Sequence, residues 1–487
     1  MNNMTQVEVH GHVIAGRVQA SDGRASLPVH NPATGEVVGH VPKGTMEDAD
    51  AAVAAARKAF QDPTWAKMDP SERGRVLWKL AGLIRVKADE LSAIETANQG
   101  KPLRESKADV LYAAQTFEYY AGVTDKIQGE TIPVPGERLN YTLREPVGVT
   151  LHVAPWNFPF QLASRSVAPA LACGNTVVLK PASLTPLTAL RMGQIGVEAG
   201  LPPGVLNVVV GDGATIGSHL VQHPDVDGIY LTGSVETGQQ VIQSMGKKLK
   251  PFTLELGGKN PNIVFADANL ENAVKGAALG AFMNAGQMCW AGSRVLVHES
   301  VHAQFMDLFV KRVEGLKVGP GTDKNTRVGP VVSAGQKKRV SDYVEVGKRE
   351  GAKLVFGGSV PKETELAKGH YLTPTVFDSV RPDMRIAQEE IFGPVVAVIP
   401  FKNYEDAIRI ANGTQFGLYA GIWTMNVATA HRAARDVQSG MVSINEYPVT
   451  FPQTPFASAK NSGIGIEQSL HAIDHYTRIK NVNVKLD

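Results

Sequence analysis

The spacing of hydrophobic positions changes near residue 147, and this change divides the chain into parts with different predicted structure. Before that point, Val76, Leu77, Leu80, Leu83 and Ile84 recur at helical spacing. The polar segment TMED (45–48), in front of an alanine-rich run that reaches residue 60, has the form of a helix capping box. The early part of the chain is therefore predicted to be helical.

Beyond residue 147, short apolar runs alternate with helical segments. The runs predicted as strands are VGVTLHVAP, TVVLKP, VLNVVVG, GIYLTGS and FTLELGG, and a second set comprises NIVFAD, SRVLVH, PVVAVIPF, YAGIWT and MVSIN. Such alternation is typical of parallel strands joined by crossover helices. The pattern predicts two α/β domains that meet near Gly257 and Gly258.

The last residues follow a different pattern. Val482, Val484 and Leu486 alternate with polar residues, which predicts a half-buried strand. A terminal strand needs a neighbour, and an exposed edge tends to find one on another chain. The partner strand can also belong to the same subunit, so both arrangements stay open, and an oligomer is expected.

Length and composition narrow the class of protein. The chain of 487 residues exceeds the size of a single core, and 43% hydrophobic and 20% charged residues are ordinary for a globular protein. Lys and Arg number 49 against 47 for Asp and Glu, without runs of one sign, so neither nucleic acid nor a membrane surface is an expected partner. The apolar stretches are too short and too interrupted to span a bilayer.

Two cysteines, Cys173 and Cys289, provide neither a disulfide framework nor a zinc cluster, and no metal site is expected. Their scarcity fits a reducing compartment, and the first residues do not have the form of a secretory signal. A cytoplasmic location is expected. Cys173, in the apolar segment ALACGNT, is interpreted as a core residue.

Two glycine-rich turns follow predicted strands. Gly211, Gly213 and Gly217 form GxGxxxG, one residue longer than a dinucleotide fingerprint, and a plain strand-to-helix turn explains it about as well. Gly233 and Ser234 begin a second turn after GIYLT. The two turns together make a phosphate-binding site more plausible than either alone, because helix N-termini present N–H groups to anions.

Three polar residues also stand at predicted strand ends, and each has two interpretations. Lys180 either meets a ribose or phosphate or is a solvated loop lysine. Glu255 is either a general base with a raised pKa or an ion-paired surface residue. Asn157, in a loop held by two prolines, either donates to an oxyanion or caps the next helix.

Cys289 lies in NAGQMCW, between a predicted helix and the strand SRVLVH. At such junctions backbone N–H groups can lower a thiol pKa, as a nucleophile requires. A lone cysteine is more often core packing, and no histidine is near in sequence. The spacing alone leaves both interpretations open.

Taken together, PWNFP, KPAS, LTGSVETG, ELGGK, NAGQMCW and EEIFGPV resemble the aldehyde dehydrogenase superfamily in order and spacing. The similarity runs from about residue 31 to the terminal strand. It implies an α/β fold with a Rossmann-like dinucleotide-binding domain at 1–127 and 147–257 and an α/β catalytic domain at 258–460. A small β bridging element at 128–146 and 461–487 would support a homodimer or homotetramer.

The resemblance also implies a reaction that oxidises a small-molecule aldehyde to the carboxylic acid with NAD or NADP. Cys289 would attack the carbonyl, Asn157 would stabilise the oxyanion, and Glu255 would activate water to hydrolyse a thioester. The positions that match cofactor contacts in the family are Trp156, Lys180, Ser183, Gly213, Gly233, Ser234, Leu256, Glu390 and Phe392.

The chain departs from the family pattern at several positions. Ser183 stands where many relatives carry a glutamate that binds the adenosine ribose, so acceptance of NADP is expected. Arg165 stands where many carry an aromatic residue, and Ser166 replaces a common lysine. Arg165 is interpreted either as a partner of a substrate carboxylate or aromatic ring, or as half of a structural salt bridge.

PFASAKNSGIG replaces two family glycines by Ala457 and Ser458 near the substrate entrance. The expected substrate is an aromatic aldehyde or a semialdehyde. The alternatives are a CoA-acylating semialdehyde dehydrogenase, which generally lacks the base, a catalytically silent relative, and a thiol hydrolase without cofactor. The residues expected to line the substrate tunnel are Phe158, Arg165, Met288, Trp290 and Phe456.

Overall fold

The computed structural model describes residues 8–19, 25–246 and 248–486, and it contains two large sheets. The first sheet has eight strands. Its strands, in spatial order, are Gly463–Ile464, Phe252–Glu255, Gly228–Thr232, Val149–Ala154, Thr176–Pro181, Leu206–Val208, His12–Ile14 and Arg17–Gln19. The five central strands are parallel, and the outer ones are antiparallel.

Both faces of this sheet are buried. Successive side chains of a strand point to opposite faces, so one strand contributes to the apolar packing on both sides. Val177 and Leu179 belong to one apolar cluster and Val178 to another. The helices associated with this part of the chain are Met46–Gln61, Pro63–Ala66, Pro70–Val86, Ala88–Gln99, Leu103–Ala121, Pro159–Ala172, Leu187–Ala199, Ser218–Gln222 and Val235–Ser244.

The second sheet has seven strands, all parallel except the first. In spatial order they are Lys353–Phe356, Thr375–Asp378, Val395–Phe401, Arg294–His298, Pro261–Val264, Tyr419–Trp423 and Met441–Ile444. Its helices are Leu270–Phe282, Glu299–Glu314, Ala334–Arg349, Arg385–Gln388, Tyr404–Asn412 and Val427–Asp436. One large apolar core surrounds it.

The predicted helix start at the TMED segment is confirmed. The Thr45 N–H donates to Asp48 Oδ2 at 2.9 Å, and the Asp48 N–H donates to Thr45 Oγ1 at 3.2 Å. Each side chain thus satisfies a backbone donor that the first helical turn leaves unpaired. The predicted parallel α/β fold is likewise confirmed by the pairing of the strands.

The terminal strand Thr477–Lys485 pairs antiparallel with Arg138–Pro146 of the same chain. Of the two partners that the sequence left open, the structure contains the one within the subunit. The ribbon is fastened on one face by Asn140, whose Nδ2 donates to the side-chain oxygens of Asn481 at 2.7 Å and Asn483 at 2.5 Å. A small three-stranded sheet, Glu8–Val9, Val37–Pro42 and Ser26–His30, has no strand in common with the two large sheets, although Val29 and Val41 pack into an apolar cluster of the first one.

Candidate active site

A cavity of about 750 Å³ lies at the carboxyl ends of neighbouring parallel strands in the first sheet. In open α/β sheets this edge is where ligands bind. Segments of the second half of the chain close the other side. Of the predicted site residues, the cavity brings together Trp156, Asn157, Lys180, Ser183, Gly213, Gly233, Ser234, Cys289, Glu390 and Phe392.

Lys180 and Ser183 line the cavity just beyond the strand Thr176–Pro181. The Lys180 side chain is buried, and its Nζ donates to the Pro181 carbonyl at 3.3 Å. Burial lowers the Lys180 pKa to about 8, although Asp212 acts in the opposite direction. The Ser183 hydroxyl donates to the Gly211 carbonyl at 2.8 Å, which ties the two turns together. This wall of the cavity therefore carries one cation and a neutral hydroxyl.

The Gly233–Ser234 turn leads into the helix Val235–Ser244, as predicted, and the helix N-terminus lines the cavity. Ser234 caps this helix, because its Oγ accepts from the Thr237 N–H at 3.2 Å. At the other glycine turn, a Cβ built on Gly213 would meet nothing within 4 Å. Space at Gly213 and an N-terminal helix turn at Ser234 together suit a phosphate-containing ligand.

Glu390 reaches the cavity from the segment after Arg385–Gln388, and its carboxylate is held by the glycine turn after Glu255. Its Oε1 accepts from the Gly258 N–H at 2.9 Å. A Cβ on Gly257 would lie 2.4 Å from Glu390 Oε2, so only glycine permits this approach. Burial raises the Glu390 pKa to about 7, against the lowering effects of the Gly258 N–H and Lys259.

Phe392 follows in a left-handed backbone conformation, with φ 60°. Its carbonyl accepts from Gln336 Nε2 at 2.7 Å. Its ring lies edge-on to Trp156, with centroids 5.1 Å apart. Two aromatic side chains from opposite walls thus face one another at the cavity.

The loop before Cys289 has an unusual backbone. After the helix Leu270–Phe282, Asn284, Ala285 and Gly286 have φ values of 49°, 54° and 71°. A Cβ on Gly286 would lie 2.2 Å from the Gly393 carbonyl oxygen. Strained backbone of this kind persists only where the surrounding structure holds it. The loop therefore fixes the direction in which the chain arrives at Cys289.

The Cys289 side chain is half-buried and lines the cavity, whereas Cys173 lies in the core. Burial raises the pKa of the Cys289 thiol to about 12; Arg165 acts to lower it, and Glu390 and Glu255 act to raise it. A thiol in this state is mostly protonated at neutral pH. Ionisation consequently requires a proton acceptor or a change in the local charge.

Asn157 lies beside this loop and does not cap the following helix, whose capping residue is Phe158. Its Nδ2 donates to the Gln287 carbonyl at 3.0 Å, and its own carbonyl accepts from Asn284 Nδ2 at 2.8 Å. These two bonds join the PWNFP loop to the cysteine loop. The Asn157 amide is thereby held near Cys289.

Glu255 ends the strand Phe252–Glu255, and its side chain is buried rather than ion-paired at the surface. Burial raises its pKa well above the usual range, Glu467 adds to this effect, and Arg165 opposes it. Neither carboxyl oxygen has a hydrogen-bond partner within the protein. A carboxyl group in such surroundings can take up a proton near neutral pH.

Arg165 contacts two neighbours of its own chain, while its Nε and Nη2 have no hydrogen-bond partner within the described residues. It forms a buried ion pair with Glu467, and its guanidinium carbon lies 4.1 Å from the centroid of the Phe456 ring. Although burial opposes the charge, Glu467 and, secondarily, Glu255 and Cys289 raise the Arg165 pKa. Trp290 meets the same Phe456 ring edge-on at 5.8 Å. The structure thus groups three of the five predicted tunnel residues.

The other two predicted tunnel residues, Phe158 and Met288, belong to the same apolar core as Trp290 and Phe456. The Phe158 ring also packs against the Lys101 ammonium, 4.0 Å from its centroid. Leu256, predicted to contact the cofactor, is buried in an apolar cluster of the first sheet.

Several residues at the site carried no signal in the sequence. Glu467 lies in no recognised motif, and its role is visible only because the chain returns beside Arg165. Asn260 and Asn284 anchor the cysteine loop, but single asparagines give no pattern to detect. Other unpredicted residues that line the cavity are Gln336, Arg339, Tyr343, Glu389, Gln415 and Phe416.

The arrangement matches that of known proteins. A family model described as the aldehyde dehydrogenase family matches residues 18–482. The chain belongs to the aldehyde dehydrogenase family. It is similar to the betaine aldehyde dehydrogenase of Bacillus subtilis, with 44% identity over 454 residues that cover 93% of this chain and 92% of that protein.

Two solved structures share this architecture. An aldehyde dehydrogenase from Bacillus cereus in complex with NAD⁺ is 43% identical, covers 99% of this chain and 97% of its own, and has a TM-score of 0.96. A betaine aldehyde dehydrogenase from Staphylococcus aureus in complex with NAD⁺ is 37% identical, with 98% and 95% covered and a TM-score of 0.96. The protein is thus an NAD(P)-dependent aldehyde dehydrogenase that oxidises small-molecule aldehydes.

Among the residues that the structure describes, this aldehyde dehydrogenase has no helix that is both long and apolar enough to cross a membrane. Within the same residues, no group of three or more His, Cys, Asp or Glu side chains is arranged to hold a metal ion.

Proposed function

We propose that this aldehyde dehydrogenase converts an aldehyde to the carboxylic acid through a covalent intermediate on Cys289. The observation that carries this proposal is the common cavity, in which the half-buried Cys289 shares one space with Lys180, Gly233 and Glu390. After the Cys289 thiol has released its proton to water, the thiolate attacks the aldehyde carbon, and the electron pair of the C=O π bond moves to the oxygen, which becomes an oxyanion. Cys289 is the nucleophile because Cys173 is buried in the core and has no access to the cavity lining.

We propose that the oxyanion is stabilised by the Asn157 side chain together with the Cys289 N–H. One N–H of the Asn157 amide is used by the Gln287 carbonyl, which leaves the second available for the substrate. A donor that is already fixed costs no reorganisation when charge develops. The Asn284 bond to the Asn157 carbonyl supports this preorganisation.

We propose that Glu255 is the general base that activates water for hydrolysis of the thioester. Its unpartnered carboxyl oxygens and its raised pKa support this role. Attack of water releases the acid and returns the sulfur of Cys289. The water proton moves to Glu255, which later releases it to solvent.

The cavity fits a nicotinamide dinucleotide. We propose that Lys180, Ser183, Gly213 and Ser234 hold its adenosine and phosphate parts, and that Glu390 holds the nicotinamide ribose. A bound nucleotide would supply the acceptor for the hydride that leaves the substrate carbon when the oxyanion on Cys289 reforms the carbonyl of the thioester. Leu256, Trp156, Gly233 and Phe392 complete the proposed set of cofactor contacts.

We propose that NADP is accepted as well as NAD. The wall formed by Lys180 and Ser183 carries a cation and a neutral hydroxyl, so a 2′-phosphate would meet attraction rather than repulsion there. The Ser183 hydroxyl bond to Gly211 leaves its oxygen free to accept from a ribose hydroxyl, which is consistent with NAD binding.

For the substrate we propose an aromatic aldehyde in preference to a semialdehyde. Arg165 is already paired with Glu467, so a substrate carboxylate would compete with a resident one. We propose instead that the Phe456 and Trp290 rings, which contact one another, form an apolar wall for a planar substrate. Phe158 and Met288 remain predicted tunnel residues.

Betaine aldehyde is the second candidate, because the similar proteins from Bacillus subtilis and Staphylococcus aureus named above are betaine aldehyde dehydrogenases. The cation of Arg165 would repel its quaternary ammonium group, whereas Glu467 balances that charge. A CoA-acylating reaction is disfavoured by the presence of Glu255, and a silent relative by the joint presence of Cys289, Glu255, Asn157 and Glu390.

The decisive experiment measures reduction of NAD and NADP with benzaldehyde, succinate semialdehyde, hexanal and betaine aldehyde. We expect turnover with both nucleotides and the highest kcat/KM with benzaldehyde. Cys289→Ala is expected to lower turnover by about a thousandfold or more, and Cys173→Ala is the matched control. Equal activity of the Cys289→Ala variant would reject the proposal, and a preference for succinate semialdehyde or betaine aldehyde would reject its substrate class.

A further inference from the structure

The main chain of Cys289 is held by one side-chain amide. Asn260 Nδ2 donates to the Cys289 carbonyl at 2.8 Å and to the Ala291 carbonyl at 2.9 Å. Its Oδ1 accepts from the Tyr419 N–H at 2.9 Å. The amide therefore uses both of its donors and one acceptor site, and Asn260 is buried.

These bonds connect three separate parts of the site. Tyr419 begins the strand Tyr419–Trp423, which pairs on both sides with other strands of the second sheet and is therefore a rigid support. Asn260 itself follows the Gly257–Gly258 turn, whose N–H holds the Glu390 carboxylate. The same short segment thus contacts the proposed ribose-binding carboxylate at one end and the nucleophile backbone at the other.

The packing around this segment leaves no room for an alternative arrangement. A Cβ on Gly258 would lie 2.2 Å from the Cys289 carbonyl oxygen and 2.8 Å from Asn260 Nδ2. No real Cβ approaches that closely, so the glycine allows the main chains to meet. The Asn260 amide then supplies the donor for the Cys289 carbonyl, whose loss has a cost typical of an orphaned buried acceptor. The Ala291 carbonyl also accepts from the Ser293 N–H at 2.8 Å.

We propose that Asn260 is a positioning residue for the nucleophile, which fixes the Cys289 main chain against the second sheet. This inference rests on the proposed role of Cys289. A displacement of about 1 Å at a reacting group can lower a rate by roughly a hundredfold. Asn260 does not touch the substrate in this account, so its loss acts on kcat and leaves binding of aldehyde and nucleotide nearly unchanged.

The test uses Asn260→Asp and Asn260→Ser. Asp keeps the size of the side chain but can only accept hydrogen bonds, so it repels both carbonyls. Ser keeps one donor, and it provides the measurement if the Asp variant fails to fold. We expect both variants to lower kcat by roughly ten- to a hundredfold with benzaldehyde and NAD, while the two KM values change by less than about threefold.

Asn262→Asp is the matched control. Asn262 is also buried, lies two residues further along, and accepts from Trp423 Nε1 at 2.5 Å, without any bond to the cysteine loop. It should keep wild-type kcat even if its melting temperature falls. Iodoacetamide labelling of Cys289 across pH supplies a second readout: the added carboxylate in Asn260→Asp should move the labelling profile to higher pH.

The outcomes distinguish failure of the positioning role from failure of the proposed function. Wild-type kcat in Asn260→Ser and Asn260→Asp, or a loss of kcat that Asn262→Asp reproduces, overturns the positioning role. Substantial turnover by Cys289→Ala shows instead that the proposed function itself fails. Losses confined to the Asn260 variants, with unchanged KM, support the inference.

Discussion

At the scale of single residues, the site depends on charges that burial makes costly. Glu255, Glu390 and Cys289 all have raised pKa values, and burial is the first cause in each case. A pKa of about 7 lets Glu390 exchange a proton at little cost near neutral pH, whereas the thiol of Cys289, with a pKa of about 12, needs an acceptor for its proton. The same burial makes the ionised forms unfavourable for folding.

Replacement of Glu255 by Gln tests the effect of this buried carboxyl on stability and on catalysis. A folded-state pKa raised above the usual 4.5 means that the stability contributed by the protonated carboxyl is lost as pH rises through the folded-state pKa. Gln stays neutral, so the melting temperature of Glu255→Gln should gain on the wild type between pH 5 and pH 8. An identical difference at both pH values would contradict the raised pKa.

The same variant has a kinetic signature. Without the base, hydrolysis of the thioester should slow by about a hundredfold or more, while formation of the thioester continues. Rapid mixing of the enzyme with benzaldehyde and NAD should then show a burst of about one NADH per active site, followed by a slow steady-state rate. Absence of the burst would place the role of Glu255 before the thioester.

Ser183 provides the second prediction at this scale. A glutamate at this position would face Lys180 and repel a 2′-phosphate, so Ser183→Glu should raise the KM for NADP by about tenfold and leave the KM for NAD similar or lower. Initial rates with each nucleotide measure this directly. Ser71→Glu, exposed near the start of the helix Pro70–Val86 and outside the cavity lining, serves as the control for added charge.

At the scale of elements, the loop between the helix Leu270–Phe282 and Cys289 is the most constrained part of the site. Gly286→Ala adds a Cβ 2.2 Å from the Gly393 carbonyl oxygen at a residue with φ 71°. We expect a loss of at least about 2 kcal/mol in the free energy of unfolding, together with lower activity.

The control for this change is Gly82→Ala, in the helix Pro70–Val86. A Cβ there would meet nothing within 4 Å, so the better helix propensity of alanine should raise stability by about 0.5–1 kcal/mol. Denaturant titration of both variants measures the two free energies. Similar effects at the two glycines would mean that the cysteine loop is more adaptable than its backbone indicates.

The sequence predicted elements where a local pattern exists. Thr45 and Asp48 mark a helix start by their own side chains, and the strand runs that end at Lys180 and Glu255 carry the apolar period of buried strands. Contacts between segments that are distant in sequence produce no local pattern of this kind. The ion pair of Arg165 with Glu467 joins a helix to a short strand near the end of the chain, and the comparison with the family pattern left both a substrate role and a structural role open for Arg165.

At the scale of the whole molecule, the ribbon of Arg138–Pro146 and Thr477–Lys485 has two unlike faces. One face carries the asparagine cluster, whereas the other carries Leu139, Leu143 and Val484, which remain substantially exposed. Apolar side chains that share one face of a two-stranded ribbon cannot be fully buried by the ribbon alone. We propose that another subunit covers this face in a homodimer or homotetramer.

Charge on that face tests the assembly. The double variant Leu139→Lys and Val484→Lys should shift the mass measured by light scattering from an oligomer to a smaller species, because lysine ammonium groups resist burial without partners. Val86→Lys, on an exposed helix position, should leave the mass unchanged. A monomeric wild type would refute the proposed assembly. An unchanged mass in the double variant would show that the subunits meet elsewhere, since two buried charges would disrupt an interface built on this face.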